Sequence, residues 1–181
     1  KRQEKVSSCL VEVYMNTRSY DAALKSIDRI AKPSAQILEA KQKILFQLGT
    51  QSFANADFEQ ALKYLNQSIA IGQYNRQTKA DAYYWCGESY YRLNRMVEAA
   101  RDFNAYLQLT TQPNNEMYAL ANYNLGYIAF HRKDYTQASN YFQKYIQLEK
   151  GENTTALADA YNRIGDCDRR IRIFEEAKHY Y

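Results

Sequence analysis

Glycine and proline are scarce in this chain of 181 residues, which has 6 glycines and 2 prolines. An all-β protein would need a turn signal about every ten residues, and glycine and proline supply most of those signals. The scarcity therefore excludes an all-β fold and favours helices. The sequence also lacks an uninterrupted apolar run of about 18 residues, the length that a membrane-spanning helix requires, so we expect no membrane span.

Residues that carry chemistry are equally sparse. The 2 histidines, His131 and His179, lie 48 residues apart. The sequence has no HExxH, no CxxC and no glycine-rich phosphate loop, the patterns that indicate metal, redox or nucleotide sites. The acidic pair Asp166 and Asp168 lies among arginines, which is typical of a solvated helix face. We therefore predict no catalytic residue, no metal ligand and no cofactor, and we expect the chain not to be an enzyme.

The charge is nearly balanced, with 24 lysines and arginines against 20 acidic residues and a formal net charge of +4. Because no long run of basic residues is present, a nucleic-acid partner is not expected. The hydrophobic fraction of 46% is normal for a folded protein. The chain starts and stops within helical patterns, and neither end has the features of a targeting segment. We therefore expect it to be an excerpt of a longer protein.

What the sequence does contain is an internal repeat. Alanines recur at steps of 38, 38, 39 and 39 residues, with a large apolar or aromatic residue three positions before and four positions after each one. A glycine lies twelve residues before each of the last four alanines. The alanines are Ala23, Ala61, Ala99, Ala138 and Ala177, and the glycines are Gly49, Gly87, Gly126 and Gly165. These columns predict five repeats at about residues 4–41, 42–79, 80–118, 119–157 and 158–181, the last one truncated.

Each repeat has the pattern of a helical hairpin. Two apolar stretches with a period near 3.6 residues flank a short polar break, such as Asn55–Asp57 or Arg132–Asp134. A glycine inside a helix costs about 1 kcal/mol relative to alanine, so its recurrence predicts a close approach of the glycine in the first helix to the alanine in the second. One hairpin cannot bury its apolar face alone, so the repeats must stack. The predicted fold class is an all-α solenoid of antiparallel helix hairpins, forming a single domain over residues 1–181.

The columns resemble the tetratricopeptide repeat, a family whose pattern combines a large aromatic residue, Leu-Gly, Tyr, Ala and Phe. The third repeat has Tyr83, Gly87, Tyr90, Ala99 and Phe103 at the matching positions. The usual period of the family is about 34 residues, whereas this chain repeats every 38 or 39, so we expect longer second helices or connections. The resemblance implies a right-handed solenoid that binds other proteins, with its first helices lining a concave groove.

A narrower resemblance concerns the compartment. The long period, the stretch Tyr83–Tyr91 and the segment Asn162–Cys167 are similar to repeats in bacterial cell-envelope proteins, namely Tol–Pal-associated periplasmic proteins and tetratricopeptide lipoproteins of Bacteroidetes. That resemblance implies the periplasm or cell envelope. In contrast, Cys9, Cys86 and Cys167 fall in alternate repeats, so we expect them to exceed the roughly 7 Å Cα separation that a disulfide allows. Free thiols favour a reducing compartment such as the cytoplasm, and the sequence therefore assigns no compartment.

The resemblance also implies which residues line the groove. They follow the aromatic column and the glycine by one position, or follow the glycine by four or five. The predicted binding residues are Phe46, Phe53, Tyr84, Glu88, Tyr91, Arg92, Tyr123, Tyr127, Phe130, His131, Arg169 and Arg170. Tyrosine and arginine supply contact area together with hydrogen bonds, so we predict a non-catalytic scaffold that binds a peptide or a partner helix.

Three alternatives stay open on the sequence alone. The same aromatic residues could pack between successive first helices, the array could self-associate into a homo-oligomer through its last helix, or the protein could regulate a cell-envelope assembly. A clamp for a C-terminal carboxylate, as in some chaperone-binding members of the family, is not expected. Tyr84 and Glu88 stand where that clamp needs lysine and asparagine.

Overall fold

The computed structural model describes residues 19–113 and 115–180. These residues form eight α-helices and a short 3₁₀ turn, and no strand occurs among them, which confirms the all-α prediction. The helices are α1 (Tyr20–Asp28), α2 (Ala35–Ala54), α3 (Phe58–Ala70), α4 (Arg76–Arg92), α5 (Met96–Leu109), α6 (Glu116–His131), α7 (Tyr135–Leu148) and α8 (Thr154–Tyr180), with the 3₁₀ turn at Gly72–Tyr74. The predicted first helix of the first repeat and Cys9 lie outside the described residues.

Tight turns join the two helices of each hairpin, at the polar breaks read from the sequence. The middle residue of each turn is left-handed, with φ of 60° at Ala56, 60° at Asn94 and 64° at Lys133. A left-handed residue after a helix allows backbone N–H groups to reach the last free carbonyls of that helix. The N–H of Asp134, for example, donates to the carbonyl of Ala129 at 3.0 Å. One short turn therefore closes the first helix.

The same turns also start the second helix. The Asp57 side chain accepts a hydrogen bond from the N–H of Gln60, and the Asp134 side chain accepts one from the N–H of Gln137, both at 3.2 Å. These bonds satisfy N–H groups that have no partner inside a helix. Ending one helix and capping the next within three residues forces the two helices to run antiparallel and side by side.

Three of the four recurring glycines are sites of close approach, as predicted, but the nearest side chain is not that of the predicted alanine. A Cβ added at Gly126 would lie 2.8 Å from the ring of Phe142, and one added at Gly87 would lie 2.8 Å from the ring of Phe103. At Gly49 the same atom would lie 2.6 Å from Leu65. Each of these glycines therefore contacts the large side chain four residues after the repeated alanine. The alanine itself is fully buried beside this contact, since Ala61, Ala99 and Ala138 are each 0% exposed.

Contacts divide the chain into two compact units, residues 1–111 and 112–181. In the first unit one buried cluster joins α1 to α2 and contains Ala23, Ile27, Ile37, Ile44 and Leu48. In the second unit the cluster joins α6, α7 and α8 and contains Ala119, Ala129, Ala138, Phe142, Tyr145, Ala160 and Cys167. Part of the large tyrosine complement lies in such cores, because Tyr106 and Tyr145 are 0% exposed. A single domain over residues 1–181 stays a prediction.

The predicted hairpin in the fifth repeat is wrong. Residues Thr154–Tyr180 form one continuous helix of 27 residues, about 40 Å long at 1.5 Å per residue. Where the other repeats have a left-handed residue followed by a capping position, this repeat has Arg172 and Ile173. Arg172 continues a helix readily. Ile173 stands where the other hairpins have the polar residues Asp57, Arg95 and Asp134, and an isoleucine side chain cannot cap a helix. Accordingly, nothing lies within 4 Å of a Cβ added at Gly165, because no second helix folds back over it.

Candidate functional site

Two tyrosines of α6 form the centre of the candidate site in the second unit. Tyr123 and Tyr127 are one helical turn apart, both half-buried, and their ring centroids are 5.2 Å apart at an interplanar angle of 75°. Each ring packs on a buried aromatic residue of α7: Tyr123 lies 4.9 Å from Tyr145, and Tyr127 lies 5.2 Å from Phe142. Because these supports belong to the core, the two rings are held in fixed positions on the surface of the unit.

The hydroxyls of this pair converge on one carboxylate from α8. Tyr123 donates to Oδ2 of Asp159 at 2.6 Å, and Tyr127 donates to the same oxygen. Burial and the neighbouring carboxylate raise the pKa of Tyr127 to about 12, and the same causes raise the pKa of Tyr123. Both phenols therefore stay protonated at neutral pH and act as donors.

Asp159 was not among the predicted site residues. It lies 36 and 32 residues after its two partners, and a single sequence contains no signal for pairing over that distance.

An ion-pair network continues from Asp159 along α8. Arg163 lies 3.7 Å from Asp159 and 3.0 Å from Asp166, and Asp166 also pairs with Arg169. The predicted residue Arg169 is therefore already paired with a carboxylate on its own helix. Pairs of this kind on a partly exposed helix face contribute little stability, typically below about 1 kcal/mol.

Phe130 lies at the turn end of α6, between Tyr135 and arginines of α8. Its centroid is 5.5 Å from that of Tyr135 across the turn. The guanidinium carbon of Arg170 lies 5.4 Å from the Phe130 centroid and 5.1 Å from the Tyr135 centroid, and its Nη1 donates to the Tyr135 hydroxyl at 2.7 Å. His131 is exposed, with its ring 6.2 Å from Phe130. The structure thus brings together the predicted residues Phe130, His131 and Arg170.

The first unit contains the same arrangement on α2 and α4. Phe53 lies 5.2 Å from Phe58 across the turn, and the guanidinium carbon of Arg92 lies 5.8 Å from the Phe53 centroid. The ring of Trp85 packs against Phe53 at 5.0 Å. Trp85 was not predicted as a site residue, although its position two residues before Gly87 matches that of Arg163 before Gly165.

The remaining predicted residues of the first unit differ in exposure. Tyr84 is only 3% exposed, and its ring packs 5.4 Å from that of Tyr106 in the core. Its hydroxyl donates to Glu88 at 3.0 Å. The prediction that Tyr84 presents its ring on an open groove is therefore wrong, because the large side chains of α5 cover it. Phe46 and Tyr91 are half-buried, and burial raises the pKa of Tyr91.

The described residues offer few groups for chemistry. Within residues 19–113 and 115–180, no three His, Cys, Asp or Glu side chains come together as metal ligands would. Cys86 and Cys167 are free and buried, and burial raises the pKa of both thiols. A thiol with a raised pKa is a poor nucleophile. No helix in the described part of the chain combines the length and the apolar character needed to cross a bilayer.

Comparison with solved structures defines the class of protein. The structure of MamA is 18% identical in sequence, with a TM-score of 0.59 over 97% of this chain and 90% of that one. BtubC from P. vanneervenii is 14% identical, with a TM-score of 0.64 over 96% of this chain and 74% of that one. YrrB, described as a TPR protein with an unusual peptide-binding site, is 16% identical, with a TM-score of 0.59 over 87% and 72%. These similarities show the fold, an α-solenoid of helix hairpins.

Family models identify the repeat. Two tetratricopeptide repeat models match residues 46–116 and 119–151, together more than half of the chain. The chain belongs to the tetratricopeptide repeat family, whose members are generally protein-interaction scaffolds and typically non-catalytic. A search of curated protein sequences found no match.

Proposed function

We propose that the chain is a non-catalytic scaffold that binds a polypeptide segment on its first helices, with α6 and α8 forming the principal contact surface. The observation that carries this proposal is the Tyr123–Tyr127 pair fixed by Asp159. Tyrosine offers a large, rigid and amphipathic contact area at low entropic cost. Because the hydroxyls and rings are held before a partner arrives, less conformational freedom is lost on binding.

Further support comes from the exposure of the neighbouring residues. Tyr127 and Phe130 are half-buried rather than covered, and His131 is exposed. Aromatic and basic side chains of this kind are enriched at protein interfaces. A similar solved structure, YrrB, is described as having an unusual peptide-binding site, which is an analogy at the level of the fold.

The proposal is tested by selecting peptides from a random display library on the immobilised chain and measuring their affinity in solution. We expect Tyr123→Ala combined with Tyr127→Ala to weaken the selected peptides at least about tenfold, since truncated interface tyrosines often cost over 1 kcal/mol. The matched control is Tyr161→Ala, which removes a tyrosine that is 61% exposed on α8 and, two residues after Asp159, lies on a different side of the helix from the pair. Equal affinities for the double variant and the wild type would contradict the proposal, as would a library that yields no binder.

Self-association is the alternative that one observation favours. Ile173 and Phe174 on α8 are 65% and 59% exposed, and large exposed apolar side chains often mark an interface when they adjoin one another. Light scattering over a range of concentrations distinguishes the two functions. A dimer that Phe174→Glu dissociates would favour a structural, self-associating role over peptide binding, whereas a monomer at all concentrations would exclude it.

The likeness to cell-envelope proteins also belongs to this proposal. It rests on the period of 38 or 39 residues and on the tyrosine-rich third repeat. Fractionation of cells expressing the full-length protein, with a periplasmic and a cytoplasmic marker, assigns the compartment. Recovery with the cytoplasmic marker would remove the regulator of an envelope assembly from consideration.

A further inference from the structure

Two arginines occupy the same repeat position and lie over equivalent aromatic rings. Arg92 follows Gly87 by five residues, and Arg170 follows Gly165 by five. Each guanidinium lies over the aromatic residue at the end of the preceding first helix, Arg92 over Phe53 at 5.8 Å and Arg170 over Phe130 at 5.4 Å. The arrangement therefore occurs once in each unit, whereas the same position is Ala54 or His131 in the other two repeats.

These two arginines contact an aromatic ring and have no carboxylate partner among the described residues. Arg95, Arg163 and Arg169 all form ion pairs, whereas neither Arg92 nor Arg170 pairs with a carboxylate among the described residues. Both are exposed. The stacked arginines therefore keep their full charge at the surface of the first helices.

Stacking prepares a guanidinium for binding an anion. A guanidinium on an aromatic face keeps its planar fork of N–H donors free at the edge, and it is more weakly hydrated than an ammonium group. Each cation–π pair of this kind is weakly attractive at an exposed site. The ring thus limits the freedom of the side chain, so that less entropy is lost when the fork receives a carboxylate in the bidentate geometry. One N–H of Arg170 is used by the Tyr135 hydroxyl, which fixes its orientation further.

We propose that Arg92 and Arg170, each within its own unit, recognise carboxylate side chains, and that the polypeptide bound there is therefore acidic, with Asp or Glu at the positions that meet these arginines. This inference rests on the proposed function and specifies the chemistry of its partner. The surroundings favour single carboxylates over a polyanion. Asp159 and Asp166 lie on the same helix as Arg170, the net charge of the chain is only +4, and a nucleic-acid site needs a broader basic surface.

The test uses the complete chain and the random peptide library, with four proteins compared. They are the wild type, Arg92→Gln with Arg170→Gln, Arg92→Lys with Arg170→Lys, and a control that combines Arg132→Gln with Arg172→Gln. The control removes the same charge from two exposed arginines that have no ring or carboxylate partner among the described contacts. Thermal melts establish that each variant is folded before selection.

We expect peptides selected on the wild type and on the control to be enriched in Asp and Glu relative to the input library. The enrichment should vanish on the glutamine variant and weaken on the lysine variant, because lysine keeps the charge but not the planar fork. For one selected peptide, replacing its glutamates by glutamines should reduce wild-type affinity about tenfold or more, the usual range for charge-assisted hydrogen bonds.

The outcomes separate this inference from the proposed function. Selected peptides without acidic enrichment, or equal enrichment on the wild type and on the glutamine variant, would overturn the inference while leaving peptide binding intact. If the acidic enrichment were also lost on the control, net charge alone would explain it, and the inference would be overturned. If a single-stranded oligonucleotide displaced the bound peptide as strongly as the free acidic peptide does, the arginines would be assigned to nucleic-acid binding instead. A library that yields no binder at all removes the proposed function itself.

Discussion

The guanidinium carbon of Arg170 lies 5.4 Å from the ring centroid of Phe130, which joins the first helices of successive repeats. Arg92 and Phe53 repeat the contact at 5.8 Å in the other unit. The sequence alone left two uses open for such aromatic residues, a binding surface or packing between first helices. Phe53 and Phe130 do pack between first helices, and the arginines that contact them are exposed. Phe53, Phe130 and Tyr127 are all half-buried, so packing between first helices leaves part of each ring uncovered.

The recurring glycines should respond to substitution according to what lies over them. A Cβ at Gly126 would meet the buried Phe142 ring at 2.8 Å, whereas a Cβ at Gly165 would meet nothing within 4 Å. We expect Gly126→Ala to lower the free energy of unfolding by about 1–3 kcal/mol through overpacking. Gly165→Ala should raise it by about 0.5–1 kcal/mol, because alanine is the better helix former. Urea denaturation of both variants, followed by circular dichroism, measures the difference. Equal effects of the same sign would contradict the close-approach geometry.

The left-handed turn residues offer a second test of the fold. Ala56 has φ of 60°, a conformation that costs an L-residue with a Cβ roughly 1–2 kcal/mol. Glycine removes that strain but loses more conformational entropy on folding, so we expect Ala56→Gly to raise the free energy of unfolding by about 0.5–1 kcal/mol. The matched control is Ala158→Gly, at an exposed position inside α8, which should lower it by up to about 1 kcal/mol. Destabilisation by both substitutions would mean that the turn is not left-handed.

The sequence predicted the hairpins because their determinants are local and recur. The polar breaks at Asn55–Asp57 and Arg132–Asp134 supply the capping aspartates, and the glycine and alanine columns reflect one packing contact within each hairpin. Long-range partners were not predictable. The bonds from Tyr123 and Tyr127 to Asp159 depend on how two first helices align in space. The core position of Tyr84 likewise depends on which side chains of α5 lie over it, whereas the columns specify only its place in the repeat.

Helix α8 is continuous although its residues match the repeat pattern, because the residues that form the turn in the other hairpins are missing. Ala177 and Phe174 fit the second-helix columns, but Arg172 and Ile173 occupy the turn. We expect Arg172→Asn to supply the left-handed turn residue and Ile173→Asp to supply the N-cap. Together the two substitutions should fold the end of α8 back over Gly165. In that background Gly165→Leu should lower the melting temperature, because a side chain would then occupy the space of the returning helix. In the parent chain the same substitution should not lower it. Identical effects of Gly165→Leu in the two backgrounds would show that no hairpin had formed.

The tyrosine pair predicts how stability depends on alkaline pH. Burial, followed by the carboxylate of Asp159, raises the pKa of Tyr127 from 10.0 to about 12, so the folded state holds this proton more tightly than the unfolded state. A raised pKa in the folded state contributes stability that is fully present below about pH 10 and is lost as the pH rises towards 12. We expect the free energy of unfolding to fall over that window, and to fall less steeply for Tyr127→Phe, which has no proton to lose.

Tyr161→Phe, at a tyrosine that is 61% exposed, should keep the slope of the wild type. Urea titrations at a series of pH values measure the slopes directly. If all three proteins lost stability with the same slope, the Tyr127 hydroxyl would not donate to Asp159 in the folded state, and the fixed tyrosine pair on which the binding surface depends would have to be abandoned.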